Sequence, residues 1–223
     1  MANIFCTSIG KKLIMSISGL FLILFLFVHA TINAFSLISP ELFEMGCEFM
    51  ALPIVGILVP VLAAGFIIHI VYAFILNLIN YRARGKERYA VANKAATEDW
   101  GARNMLLLGI IVLGVLAFHL THFWAHMQLP AWTGGEETNP VVLLGKTFGN
   151  PVVLAIYIVW FIALWFHLTH GFWSALQTLG WSGKIWFNRW KCIGNVYATV
   201  IILMFAAVVI CFQARALCCG ACC

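Results

Sequence analysis

The residues with the clearest chemical potential are the histidines, all of which lie in or at the ends of long apolar segments. There are seven: His29, His69, His119, His122, His126, His167 and His170. An ionisable side chain inside a membrane is costly, so such groups usually face the interior of a helix bundle and mark a cofactor or a pathway. Neutral imidazole is also a good ligand for transition metals. The histidines therefore predict ligation of a metal, or of a cofactor that contains one, within a membrane.

Four of the histidines occupy matching positions on four successive apolar segments. Each lies sixteen residues after the start of its segment or, for the third segment, after the residue just before it: Leu13 to His29, Pro53 to His69, Arg103 to His119 and Pro151 to His167. At about 1.5 Å per helical residue, sixteen residues extend about 24 Å along the helix axis. This distance is most of the thickness of a hydrocarbon core of about 30 Å. Because successive membrane helices alternate in direction, His29 and His119 are predicted to lie towards one face of the membrane. His69 and His167 are predicted to lie towards the other face.

A pair of neutral imidazoles facing each other from two helices is the ligand set of six-coordinate haem b. Two pairs at two depths predict two haems b and a route for electrons across the membrane. Zinc or copper would need three or four donors at one depth, which the i, i+3, i+7 spacing of His119, His122 and His126 could offer. Such a site would leave the other matched histidines unexplained. Glycines on these helices fit either close haem approach or ordinary helix packing: Gly19, Gly65, Gly109, Gly114 and Gly171.

Composition predicts the elements that must position these histidines. Apolar residues make up 63% of the 223 residues and charged residues only 9%, against roughly a quarter charged in soluble domains. Five apolar runs are long enough to cross a membrane: residues 13–37, 53–79, 104–127, 151–179 and 194–212. We therefore expect an all-α protein with five transmembrane helices, forming a single membrane domain that carries the two haems.

The distribution of positive charge predicts the orientation. When the five segments alternate across the membrane, eleven of the thirteen Lys and Arg fall on one side, and only Lys146 and Arg215 on the other. Positive residues accumulate on the cytoplasmic side, so the N-terminus is expected to be cytoplasmic and the C-terminus extracytoplasmic. The net charge of +5 is thus a signal of topology, and nothing in it indicates nucleic-acid binding.

Three polar or irregular stretches lie between and after the helices. The basic segment 80–103 is either a solvated connector or a docking surface for a partner subunit, while Gln128 to Asn150 has the glycines and prolines of an outer loop. The cysteine-rich tail, residues 218–223, is interpreted as a frayed end because the regular pattern stops before it.

Four stretches around the matched histidines resemble a known family, the five-helix dihaem cytochrome b subunit of succinate:quinone oxidoreductases. They are SGLFLILFLFVH, ending at His29; AAGFIIHIVYAF around His69, followed by YRARGKERYAV; GIIVLGVLAFHLTH around His119; and FHLTHGFWSALQTLGW, containing His167. The resemblance runs from about Lys11 to Trp181, and four stretches in order at family spacing are more specific than any single one. It implies the membrane anchor of a succinate dehydrogenase or quinol:fumarate reductase in the bacterial inner (cytoplasmic) membrane.

The resemblance also implies ligands and partners. His29 and His119 would bind the distal haem, and His69 and His167 the proximal haem, which faces a cytoplasmic iron–sulfur subunit and, beyond it, an FAD-containing flavoprotein. The second histidine of each HLTH motif, His122 or His170, would hydrogen-bond a propionate, a carbonyl or the quinone. Residues that resemble or suit a propionate-binding position are Ser16, Arg82, Arg84 and Arg103.

The family's quinol pocket is lined by a glutamate shortly before helix two, and the stretch FEMGCEFMALP places it at Glu44. Glu41 and Glu48 are neighbours that could be confused with it, and a solvated loop acid is the alternative role. Menaquinol is the substrate that the resemblance implies, and its oxidation needs a base.

Trp165 departs from the family, because some relatives carry a proton-conducting glutamate there. Two rival functions are the haem b anchor of a hydrogenase or formate dehydrogenase, and a haem-free transporter with broken, repeated helices.

Overall fold

The computed structural model of the chain describes residues 7–84, 100–136 and 138–220, and this part is almost entirely helical. Long apolar runs form helices because the backbone groups of each residue are then paired within its own segment. The helices are α1 (Ser8–Phe35), α2 (Pro40–Ala51), α3 (Pro53–Gly56), α4 (Leu58–Arg84), α5 (Trp100–Arg103), α6 (Met105–His119), α7 (Ala125–Thr133), α8 (Pro140–Phe148), α9 (Pro151–Thr178) and α10 (Lys184–Gly220). A π-helical turn, Leu120–Trp124, joins α6 to α7.

Five helical stretches in the described ranges are long and apolar enough to cross a membrane. They are Ser8–Phe35, Pro53–Ala83, Met105–Thr133, Pro151–Thr178 and Lys184–Cys218. Each contains most or all of one segment predicted from the sequence. The prediction of five helices of transmembrane length is therefore confirmed.

Some boundaries and two loop predictions are wrong. The last helix begins at Lys184 rather than at residue 194, and it continues to Gly220, so the cysteine-rich tail is helical as far as that residue; residues 221–223 lie outside the described part. The predicted outer loop, residues 128–150, contains the end of α7 and all of α8. The stretch that carries Glu44 is also helical, as α2.

The two short helices α2 and α8 begin at clear local signals. Ser39 caps α2 by accepting a hydrogen bond from Leu42 N, and Asn139 caps α8 by accepting from Val141 N and Val142 N. A proline follows each cap. The backbone N–H at the first position of a helix has no acceptor within the helix, so proline, which lacks this N–H, costs no hydrogen bond there. Gly134 ends α7 in the left-handed conformation, with φ of 73°, which glycine adopts without a Cβ clash.

The chain divides into two compact units, each assembled from three segments. Unit 1 comprises residues 1–25, 57–108 and 166–198, and unit 2 comprises residues 26–56, 109–165 and 199–223. Within unit 1, Tyr197 donates a hydrogen bond of 2.6 Å to Ile23 O and stacks on Phe172. The buried core of unit 2 is rich in aromatic residues: Phe43, Leu144, Phe148, Tyr157, Phe161, Val208, Val209 and Phe212. Each unit contains one pair of the matched histidines.

Candidate functional site

The first histidine pair lies in unit 2, where α1 supplies His29 and α6 supplies His119. Their ring centres are 5.8 Å apart, and the ring planes are nearly perpendicular, at 89°. His119 is the last residue of α6, immediately before the π-helical turn. Turns of this kind are frequent at functional sites because they change the direction of the residues that follow.

Aromatic side chains surround this pair. The hydroxyl of Tyr157, a residue only 2% exposed, is 3.2 Å from His119 Nδ1. The rings of Phe123 and Trp160 also contact His119, with ring centres 5.0 Å and 5.8 Å away, while Phe205 contacts His29 at 5.6 Å. The hydrogen bond at Nδ1 leaves Nε2 of His119 as the nitrogen available to a metal.

The second pair lies in unit 1, where α4 supplies His69 and α9 supplies His167. Their ring centres are 6.3 Å apart at an interplanar angle of 73°. Ser18 Oγ lies 3.4 Å from His69 Nδ1 and donates its own hydrogen to Met15 O at 3.1 Å. With this hydrogen directed to Met15 O, the Ser18 oxygen presents its lone pairs to the His69 ring, which favours the tautomer with hydrogen on Nδ1 and an unprotonated Nε2 able to bind a metal.

Gly19 provides the space for His69. A Cβ atom at this position would lie 3.2 Å from His69 Cε1 and 3.5 Å from His69 Nδ1. The distance to Cε1 is shorter than an ordinary van der Waals contact. The neighbouring ring, His167, has its buried Nδ1 without a hydrogen-bond partner in the described part of the chain. At this site, one histidine lies beside a hydroxyl group, and the other has a buried ring nitrogen that still lacks a hydrogen-bond partner.

Both pairs fit the ligation of one metal ion between two imidazoles. A metal–imidazole bond is about 2 Å long, so two imidazoles on opposite sides of one ion have ring centres roughly 6 Å apart. Perpendicular planes are acceptable because each ring can rotate about its own metal–nitrogen bond. The observed separations of 5.8 Å and 6.3 Å are compatible with two imidazole donors to one metal, and these are the residues that would hold a haem b, which takes two such donors.

The alternative of a zinc or copper site receives no support. Among the residues that the structure describes, no group of three or more His, Cys, Asp or Glu side chains is placed to hold a metal ion. The π-helical turn interrupts the regular spacing on which a site of His119, His122 and His126 depended. His126 is also exposed.

The second histidines of the HLTH motifs have other contacts. His122 donates its Nδ1–H to Phe118 O at 2.9 Å, since a carbonyl oxygen can only accept. His170 contacts the edge of Trp173, with ring centres 4.8 Å apart.

The predicted propionate-binding residues belong to unit 1, the unit of His69 and His167. Ser16 is buried on α1. Arg82 is exposed in the last turn of α4, and Arg103 is exposed at the end of α5. The side chain of Arg84 lies outside the described part of the chain.

Glu44 lies in unit 2, on α2, and is distinguished from its two acidic neighbours by its contacts. Its Oε1 accepts a hydrogen bond of 2.6 Å from Asn139 Nδ2, and its side chain is half-buried. Glu41 and Glu48 are exposed. A backbone hydrogen bond at Glu41 and the Ser39 hydroxyl lower the Glu41 pKa, so that carboxylate serves the first turn of its helix. Burial, aided by the charge of Glu44, raises the pKa of the Cys47 thiol to about 11.

Several contacts at these sites were not anticipated. Ser18, Tyr157 and Asn139 approach partners that are 51, 38 and 95 positions away, and no local pattern marks them. Trp165 donates its indole N–H to Thr199 Oγ1 at 3.0 Å. In comparisons with protein-family models, curated proteins and solved structures, nothing matches this chain.

Proposed function

We propose that this chain is the dihaem cytochrome b membrane anchor of a succinate:quinone oxidoreductase, either a quinol:fumarate reductase or a succinate dehydrogenase. The observation that carries the proposal is the pair of two-histidine sites, with ring centres 5.8 Å and 6.3 Å apart, on helices long enough to span a membrane. Histidines inside such helices usually mark a cofactor or a pathway. The four family-like stretches around the same histidines supply the enzyme class.

The roles of the histidines follow from their pairing. His29 and His119 hold one haem b, and His69 and His167 hold the other. When bound, haem b supplies one-electron transfer, and two imidazole ligands leave no open position for oxygen. Tyr157 and Ser18 keep His119 and His69 in the orientation and tautomer in which Nε2 binds iron.

The charge distribution supports the proposed orientation. Eight of the Lys and Arg in the described ranges belong to unit 1: Lys11, Lys12, Arg82, Arg84, Arg103, Lys184, Arg189 and Lys191. The other two, Lys146 and Arg215, belong to unit 2. By the positive-inside rule, unit 1 faces the cytoplasm of a bacterial inner membrane. The haem of His69 and His167 is then the one that exchanges electrons with an iron–sulfur subunit, to which an FAD-containing flavoprotein is attached.

Glu44 is proposed as the base for quinol oxidation. Menaquinol loses two electrons and two protons when it becomes menaquinone, and a carboxylate can accept a proton as the electrons leave towards the haem of His29 and His119. Glu44 belongs to the same unit as those two histidines. Fumarate or succinate chemistry takes place on the partner subunits.

Haem content tests the cofactor assignment directly. Pyridine-haemochrome analysis of the purified protein should give two haems b per chain, and a reduced-minus-oxidised spectrum should show low-spin bands. The proteins that co-purify should include an iron–sulfur protein and a flavoprotein with succinate or fumarate activity. A content of zero or one haem would overturn the dihaem assignment, and co-purification of a hydrogenase or formate dehydrogenase would overturn the enzyme class.

The role of Glu44 is tested by Glu44→Gln, which preserves size and hydrogen bonding but removes the base. Quinol-dependent turnover of the complex should fall by about 10² or more, as is usual for a lost general base. Haem content and dye-linked succinate or fumarate turnover, which bypass this site, should stay near wild type. Undiminished quinol turnover would exclude Glu44 and direct attention to Glu41 or Glu48, whereas loss of both haems would mean that Glu44 is structural.

A further inference from the structure

The amide of Asn139 is held in one orientation by the start of helix α8. Its Oδ1 accepts hydrogen bonds from Val141 N at 2.9 Å and from Val142 N at 3.2 Å. Backbone N–H groups can only donate, so the atom that faces them must be the amide oxygen. The atom on the other side of the amide is therefore Nδ2, which donates to Glu44 Oε1 at 2.6 Å.

Helix α8 gives Asn139 a fixed support. Leu143, Leu144, Thr147 and Phe148 of this helix are buried, and two of them, Leu144 and Phe148, belong to the aromatic core of unit 2 together with Phe43 of α2. The two hydrogen bonds to the start of α8 restrict the rotamers of the Asn139 side chain, which is itself exposed. Asn139 thus joins the first turn of α8 to the carboxylate of a half-buried side chain that would otherwise choose among several rotamers.

We propose that Asn139 is a positioning residue for Glu44, which it holds so that Oε2 is presented to the quinol. This inference rests on the proposed function, because Glu44 is the base assigned there. An amide suits the task chemically, since it donates a hydrogen bond to a carboxylate without being able to protonate it. The backbone donors at the start of α8 use the amide oxygen, so the same side chain performs both tasks at once.

Two substitutions separate positioning from helix capping. Asn139→Ser and Asn139→Asp both retain a good N-cap residue for α8. The serine has no amide N–H for Glu44, and the aspartate places a second negative charge beside it. If Asn139 only caps the helix, Asn139→Ser should behave as wild type; if it positions Glu44, Asn139→Ser should be impaired, and Asn139→Asp, whose charge also repels Glu44, should be impaired further.

The measurement is the turnover of the assembled complex with a water-soluble menaquinol analogue. We expect kcat to fall about tenfold in Asn139→Ser and further in Asn139→Asp, because small misplacement of a reacting group is costly to rate. KM should change less than kcat, and haem content and dye-linked turnover should not change. In a Glu44→Gln background, Asn139→Ser should have no further effect, since the two residues act as one unit.

The outcomes distinguish this inference from the function on which it rests. Full quinol turnover in Asn139→Ser, with Glu44→Gln impaired, would overturn positioning and leave the proposed base in place. Full turnover in Glu44→Gln would remove the base and with it the role of Asn139. An equal loss from Asn139→Ser in the wild-type and Glu44→Gln backgrounds would mean that Asn139 acts independently of Glu44, which also overturns the proposal.

Discussion

The two histidine pairs have similar internal geometry but different surroundings. In unit 2, His119 is enclosed by large rings and its Nδ1 meets a buried phenol, Tyr157. In unit 1, His69 meets two of the smallest residues of α1, the hydroxyl of Ser18 and the bare Cα of Gly19. One pair is thus supported by bulky side chains, and the other is approached closely by a helix backbone.

Under the proposed function, this difference would give two haems with the same ligand type different surroundings. The reduction potential of a haem depends on hydrogen bonds to its ligands, on burial and on nearby charge as well as on ligand identity. The charges of the two units also differ, since unit 1 holds eight Lys and Arg of the described ranges, while unit 2 holds Glu41, Glu44, Glu48 and Glu136. We therefore expect two haems that can be separated by potential and disturbed one at a time.

Removal of a ligand is the largest expected perturbation. His29→Ala or His119→Ala should abolish the haem of unit 2, and His69→Ala or His167→Ala that of unit 1, so each variant should halve the haem content. Redox titration should then show a single remaining centre, different for the two groups of variants. His122→Ala and His170→Ala are the controls and should retain both haems. If replacement of His122 or His170 removed a haem while His119 or His167 was dispensable, the ligand assignment would be wrong.

Loss of space beside His69 should have an intermediate effect. Gly19→Val places a branched side chain where even a Cβ would be 3.2 Å from the ring of His69, so the ring must move from its ligating position. We expect roughly tenfold weaker retention of the unit 1 haem, as for other disturbances of a ligand's support, with the unit 2 haem unaffected. Haem content after dilution in detergent measures this.

The matched control for this prediction is Gly145→Val on α8, where a Cβ would meet nothing within 4 Å. This variant should retain both haems. If the two valine variants lost haem to the same extent, the effect would be one of valine in a helix and the close approach at Gly19 would not matter.

The smallest expected effects come from the hydroxyl groups. Tyr157→Phe should raise the potential of the unit 2 haem, because an imidazole whose N–H has lost its acceptor donates less electron density to iron. The shift should be below about 59 mV, the equivalent of tenfold in a one-electron equilibrium. Ser18→Ala should shift the unit 1 haem less, because its contact is longer, at 3.4 Å against 3.2 Å. Redox titration of both variants tests this, and a shift of the same haem in both would contradict the comparison.

The sequence predicted the long helices well and their ends poorly. Hydropathy marks the residues that are too apolar for water, but a helix continues into polar residues as long as its backbone is satisfied, as α10 does from Lys184 to Gly220. The cap signals Ser39-Pro40 and Asn139-Pro140 were present, yet neither α2 nor α8 was anticipated, because both are short helices in stretches taken for loops. Prediction of helix boundaries therefore requires the capping residues to be considered together with hydropathy.

For the candidate site, the sequence could predict which histidines face each other but not what holds them. Equal spacing from four helix starts is a local property, and it was enough to anticipate the pairs His29 with His119 and His69 with His167. The contacts of Tyr157 and Ser18 depend on how distant helices rotate about their own axes, which packing decides. The haems and the quinol reaction remain predictions.

The π-helical turn after His119 has a consequence for how this protein could vary in length during evolution. A π turn contains one more residue than an α turn, so loss of one residue from Leu120–Trp124 would restore a continuous α-helix. Because a π turn uses one more residue for about the same rotation as an α turn, Ala125–Thr133 would keep its present direction relative to His119. His119 precedes the turn and would keep its place on α6. Natural variants that lack one residue here could therefore preserve both the ligand and the face of the helix that follows it.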